Sequence, residues 1–177
     1  MKLLLKLPFI ILYYGFLRYL PSGLSPFVGR YCRFLRYHCC KHIFKKCGKN
    51  VNVERMAFFS SGQNIVIGDN SGIGINCNVP SNIIIGKDVM MGPNVYILLH
   101  NHNIDRVDIP MIEQGLNESK QTIIEDDVWI GRQVLFTPGR IVKKGTVIAG
   151  GTVLCKDFDA YSIVGGNPSK LIRKRDE

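Results

Sequence analysis

Acidic side chains are missing from the first 53 residues, histidine is scarce, and no apolar run is long enough to cross a bilayer. Each shortage excludes something. The longest uncharged stretch near the N-terminus, Leu7 to Leu17, has eleven residues, against the roughly 20 that a spanning helix needs. Pro8 and Arg18 interrupt it and no small-residue cleavage site follows, so neither a membrane span nor a secretory leader is expected. Of four histidines only His100 and His102 lie beyond residue 42, too few for a zinc centre with three histidine ligands. Six cysteines (32, 39, 40, 47, 77 and 155) occur in a chain that has neither the small size nor the leader of a disulfide scaffold. They read as free thiols in a reducing cytosol.

What is present in the first 53 residues is positive charge: Lys2, Lys6, Arg18, Arg30, Arg33, Arg36, Lys41, Lys45, Lys46 and Lys49. The net charge of +9 is therefore an N-terminal property. Residues 1–48 form a basic, apolar arm of two helices, the second over Tyr31 to Lys46, separated by Pro21, Gly23, Pro26 and Gly29. Two uses of the arm stay open. Its apolar side packs on the domain or a neighbouring subunit, or it lies at a lipid surface with its cations toward anionic headgroups. No nucleic-acid motif accompanies the charge, and the Cys and His spacing around residues 32 to 47 matches no zinc finger.

A different regularity governs the rest. Every sixth residue from Ile67 reads Ile67, Ile73, Val79, Ile85, Met91, Ile97, and a second small or β-branched track runs two residues ahead, from Ile65 to Val95. Residues i and i+2 share a face of a strand, and a six-residue period marks a coil of short strands stacked in parallel. Two extra residues disturb the register between Phe59 and Ile67. The period stops at Leu98, stays silent through a loop over 98–122, and restarts as Ile124, Ile130, Phe136, Val142, Ile148, Leu154. A loop of that length inside a compact repeat is usually functional. Arg140 falls on the inner track, where an unpaired charge is costly. Either the coil flares there or Arg140 escapes at an open corner.

The repeat, the loop HNHNIDRVDIP, the block IIEDDVWIG at 123–131, VIAGGTVLCKD at 147–157 and IVGGNPSKLIRKR at 163–175 together resemble the hexapeptide-repeat acyltransferases. The branch is that of maltose, galactoside and capsular polysaccharide O-acetyltransferases, and the likeness covers about Val51 to Arg175. It implies an all-β domain over residues 49–164, a left-handed parallel β-helix with three hexads per coil. It also implies a homotrimer, a basic C-terminal tail over 165–177, and acetyl-CoA as co-substrate.

The same resemblance implies the site. A sugar hydroxyl is a poor nucleophile until a base removes its proton, and histidine suits that work. Asn101-His102 matches the family's base, so His102 is the expected catalytic residue, with His100 orienting the substrate or the loop. Asn78 resembles the asparagine that binds an acceptor hydroxyl one coil below. Acetyl-CoA is expected at Gly131, Arg132, Ala149, Gly150, Cys155, Lys156, Lys170 and Arg173, the small residues leaving room for it and the cations meeting its phosphates. No metal and no active-site cysteine is required, and Trp129 is expected to pack at a protomer interface. The acceptor is a sugar or a polysaccharide precursor at the cytoplasmic face of the membrane, touched peripherally through residues 1–48. A catalytically silent scaffold in a glycan-synthesis complex is the alternative.

Overall fold

The computed structural model describes residues 2–177. Strands two residues long, with one of four at the end of the second face, stack in parallel on three faces of a prism. The first face holds Lys46–Cys47, Val66–Ile67, Ile84–Ile85, Ile123–Ile124 and Ile141–Val142. The second holds Asn52–Val53 on Gly72–Ile73, then Met90–Met91, Trp129–Ile130, Val147–Ile148 and Ser162–Gly165. The third holds Tyr96–Ile97, Leu135–Phe136 and Val153–Leu154, continued below by bridges from Tyr96 to Asn78 and from Asn78 to Phe58. Val66 pairs with Ile84, 18 positions on, so a coil is three hexads. The whole is a β-solenoid of about six turns. Its core is the inner end of each hexad, with Ile67, Ile73, Ile85, Ile124, Ile130 and Phe136 all buried.

The irregularities fall where the period predicts them. Phe58 pairs with Asn78 at a spacing of 20 whereas Val66 pairs with Ile84 at 18, which confines the two surplus residues between Phe58 and Val66. Ile84 pairs with Ile123 at 39, so the loop adds 21 residues to one coil without shifting the register.

The corners carry the polar part of the design. Asn50, Asn70, Asp88 and Asp127 all take positive φ near +55°, a conformation that Asn and Asp tolerate better than most residues. Their side chains form a ladder: Asn50 donates to Asn70 at 3.2 Å and Asn70 donates to Asp88 at 2.9 Å. Asn70→Ala is expected to cost about 1 kcal/mol, read as a lower urea midpoint with the slope unchanged. Loss of less than a third of that would remove the ladder from the account. The Glu125-Asp126-Asp127 run is a set of staples. Glu125 accepts from the Lys144 N–H, Asp126 from the Lys87 N–H, and Asp127 pairs with Arg175 at 2.9 Å.

Arg140 escapes at an open corner. Its guanidinium donates to the Cys155 and Pro138 carbonyls and lies 3.5 Å from Asp157.

Helices α1 (Lys2–Gly15) and α2 (Gly29–Ile43) close the N-terminal end of the prism. Tyr13, Cys40 and Ile43 join Val51, Val53, Ala57 and Phe59 in one core, and the Tyr13 hydroxyl donates to the Ala57 carbonyl at 2.9 Å. Arg36 is fully buried under this lid and donates to the Val53 and Pro21 carbonyls. The boundaries expected from sequence need two corrections. The second helix stops at Ile43, not Lys46, because Phe44 turns extended to bury its ring against Phe59, and the coil starts at Lys46, inside the span 1–48 assigned to the arm. The C-terminal segment is a strand rather than a tail: Lys170–Lys174 folds back antiparallel on Ser162–Gly165.

Candidate active site

The break in the period is a short ribbon, not a slack loop. Lys120 N–H donates to the Leu99 carbonyl at 3.1 Å, Asn101 N–H to the Asn117 side chain at 2.8 Å, and Asn117 N–H back to the Asn101 carbonyl at 2.9 Å. One step further out, His102 bridges Leu116 antiparallel, and Asn103 donates to the Gly115 and Gln114 carbonyls. His102 is therefore exposed but carried on paired backbone. It borders an open hollow of about 480 Å³ shared with Asn101, Asn103, Asp105 and Asn117. Beyond it the ribbon tip is closed by Gln114, whose side chain accepts from the Arg106 N–H at 3.1 Å and donates to the Arg106 carbonyl at 2.7 Å.

His100 goes elsewhere. It lines a groove of about 240 Å³ on the third face with Asn78, Phe58, Ser81 and Tyr96. Asn78 is held there by its backbone, donating to Val95 and accepting from Ile97, and it lines the groove. Within one prism Asn78 and His100 come together, and His102 lies outside their groove.

The residues expected to meet acetyl-CoA form two groups. Gly131, Arg132, Ala149 and Gly150 share one corner, with the Arg132 stem over Gly150. Gly131 is glycine for a different reason from the one expected: a Cβ there would lie 2.5 Å from the Gly150 nitrogen, so coil stacking itself forbids a side chain. Gly150 and Gly151 are exposed: a Cβ at Gly151 would meet nothing within 4 Å, while one at Gly150 would meet the Arg132 carbonyl at 3.3 Å. Cys155 and Lys156 occupy the next corner, close to the start of the returning strand at Lys170, whereas Arg173 stands further along that strand opposite Ile163 and donates to the Lys174 carbonyl. Ser169, which sequence reasoning missed, ties these together: its hydroxyl accepts from the Cys155 N–H at 3.2 Å and lies 3.4 Å from the Cys155 sulfur. Bonding to Ser169 holds the exposed Cys155 thiol below its ordinary value, whereas burial pushes Cys39, Cys47 and Cys77 up to about 11. Cys77 points into the prism and donates to the Gly92 carbonyl, away from any site. Phe58, Tyr96 and Asn117 were also missed; the two aromatics occupy outward strand positions that a period tuned to the core ignores.

Comparison with known proteins decides the family. No protein-family model matches the chain. A putative acetyltransferase of Saccharomyces cerevisiae is 34% identical over 136 residues, covering 76% of this chain and 68% of that protein. This chain belongs to the hexapeptide-repeat acetyltransferases. A maltose O-acetyltransferase structure from Clostridium difficile 630 superposes with a TM-score of 0.76, 28% identity, and coverage of 99% of this chain and 89% of that one. A galactoside acetyltransferase in complex with coenzyme A gives 0.76, 26% identity, 96% and 80%. A superposition of that extent does not survive mirror inversion, so this acetyltransferase shares their coil sense, which the resemblance gives as left-handed. The chain's match spans 58–68% of the length of four curated relatives and less of several others.

Proposed function

We propose that this acetyltransferase moves an acetyl group from acetyl-CoA to a hydroxyl of a sugar, with His102 as general base. The observation that carries the reading is the ribbon at 98–122, which interrupts an otherwise regular prism and holds His102 out on paired backbone. The imidazole takes the proton of the acceptor hydroxyl as its oxygen attacks the thioester carbonyl. Collapse of the tetrahedral intermediate breaks the C–S bond, and the imidazolium returns the proton to the coenzyme A thiolate. Asn78 and His100 face the acceptor. The exposed backbone at Gly150 and Gly151 suits the pantetheine, and Lys156, Lys170 and Arg173 suit its phosphates.

A homotrimer completes the site, since His102 lies outside the Asn78–His100 groove of its own prism. Outward on the second face, Met90 and Trp129 stack as exposed apolar side chains. A neighbouring prism that covers them removes that patch from water. The acceptor is a cell-surface polysaccharide precursor at the cytoplasmic membrane face, approached through peripheral contact by residues 1–48.

The test is thiol release from acetyl-CoA with galactosides, maltose and capsular oligosaccharides as acceptors, alongside sedimentation of the protein. Acceptor-dependent release is expected from particles three times the 20.0 kDa chain mass. Tight acetyl-CoA binding with no release to any hydroxyl would favour the silent scaffold, and a monomer with full activity would remove the shared site.

A further inference from the structure

The outward face of the helical lid is unlike the rest of the surface. Because α1 and α2 both pack inward on the first coil through Tyr13, Cys40 and Ile43, joined by Leu17 just past α1, their opposite faces look out from the same end of the prism. On α1 that face presents Leu4, Leu5, Ile11 and Leu12, with Phe16 just past its end, all exposed, and on α2 it presents Tyr31, Phe34 and Leu35. Between the helices, the turn carries Leu24 at 88% and Phe27 at 96% exposure. Phe27 sits at φ +64°, a left-handed conformation that is unfavourable for a bulky residue. The turn is nonetheless fixed: Gly23 N–H donates to the Glu54 carboxylate at 3.0 Å, and Gly29 N–H donates to the Ser25 carbonyl at 3.0 Å. A strained, well-anchored turn here holds an aromatic ring in water.

Charge indicates what covers this face. Arg30 and Lys41 are exposed on α2, Lys45, Lys46 and Lys49 are exposed on the first coil that follows it, and the first acidic residue of the chain, Glu54, is turned inward. Arg30, Arg33, Tyr37 and His38 also line a groove of about 410 Å³ along α2, where Asn50 accepts from the Arg33 guanidinium at 2.8 Å and fixes its position. A second copy would bring two like-charged arms together, which repel. A bilayer with anionic headgroups satisfies both halves of the face: acyl chains for the exposed rings, phosphates for the guanidinium groups.

We infer that this face is a seat for an anionic phospholipid surface, with Leu24 and Phe27 entering the acyl boundary and the Arg30–Arg33 groove taking a headgroup phosphate. The inference rests on the peripheral contact in the reading above and locates it. Since the lid caps the end of the prism, the coil axis then stands up from the membrane. The ribbon leaves three coil spacings on, so His102 lies roughly 25 Å above the headgroups, from strand spacing plus one helix layer.

The test is co-sedimentation of the full chain with phosphatidylglycerol–phosphatidylcholine vesicles and with phosphatidylcholine alone. Binding is expected to the anionic vesicles, weakened by salt, and the double variant Leu24→Ser/Phe27→Ser is expected to lose at least tenfold in vesicle affinity. Both side chains are in water in the free protein, so urea midpoint and acetyl-CoA binding stay unchanged. If the unaltered chain ignores both vesicles, the membrane contact and this face fall together. Equal binding by the chain and the variant would overturn the face alone. No vesicle binding, with self-association lost in the variant, would make it an interface between copies and overturn the lipid assignment.

Discussion

His102→Ala is expected to lower acetyl transfer by about 10²- to 10⁴-fold, the range a positioned general base contributes, while acetyl-CoA binds as before. The split follows from geometry. His102 is held by the Leu116 bridge and the reciprocal Asn101–Asn117 bonds, none of which uses its ring. Removing the imidazole therefore leaves the ribbon in place. The groups assigned to the cofactor lie on the coils and the returning strand instead. Stopped-flow thiol release and equilibrium titration with acetyl-CoA separate the two effects. Turnover within threefold of the unaltered protein would remove His102 from the mechanism, and the same thiol-release measurement with His100→Ala shows whether the neighbouring histidine shares the work.

Arg36→Ala is expected to be the costliest substitution for stability in the lid, at about 3–5 kcal/mol. Arg36 is fully buried, donates to the Val53, Leu20 and Pro21 carbonyls and sits 3.6 Å from Glu54. Truncation leaves those carbonyls and a nearly buried carboxylate without their partner. Burial pushes Glu54 up, but N–H groups of Gly23, Asn52 and Arg55 outweigh it and hold the carboxyl below its ordinary value of 4.5. A lowered folded-state value makes the ionised form the stabilising one. That contribution is complete above about pH 4.5 and is lost as pH falls through the lowered value. Urea unfolding of the variant at neutral pH tests the pair, and a loss under 1 kcal/mol would contradict it. Acid titration of the unaltered protein is expected to loosen the lid first, seen as tyrosine fluorescence from Tyr13 and Tyr14.

Much of this arrangement is written in local order, and that part was legible. A six-residue period states where each inner residue goes, because the i, i+2 geometry of a strand and a fixed corner leave little freedom. The two surplus residues before Val66, the exit after Ile97 and the re-entry at Ile123 all follow from counting. What sequence could not show depends on chain segments meeting from a distance. Asn117 and Leu116 secure His102 only because the ribbon folds back at Gly115. Ser169 reaches Cys155 through the returning strand. Arg140 was a puzzle on the inner track because its partners, Cys155 and Asp157, belong to the next coil. Gly131 looked like clearance for a ligand, yet the backbone above it is reason enough. His100 and His102, two positions apart, point into different hollows, a separation set by where the ribbon leaves the third face.

The central claim is that the interruption in the prism places His102 against the thioester. Diffraction from the full chain with coenzyme A bound tests it most directly. The account predicts the coenzyme sulfur within about 3–4 Å of the His102 imidazole, with pantetheine running past Gly150. A sulfur lodged against another base, with the His102 ring turned to solvent, would contradict it.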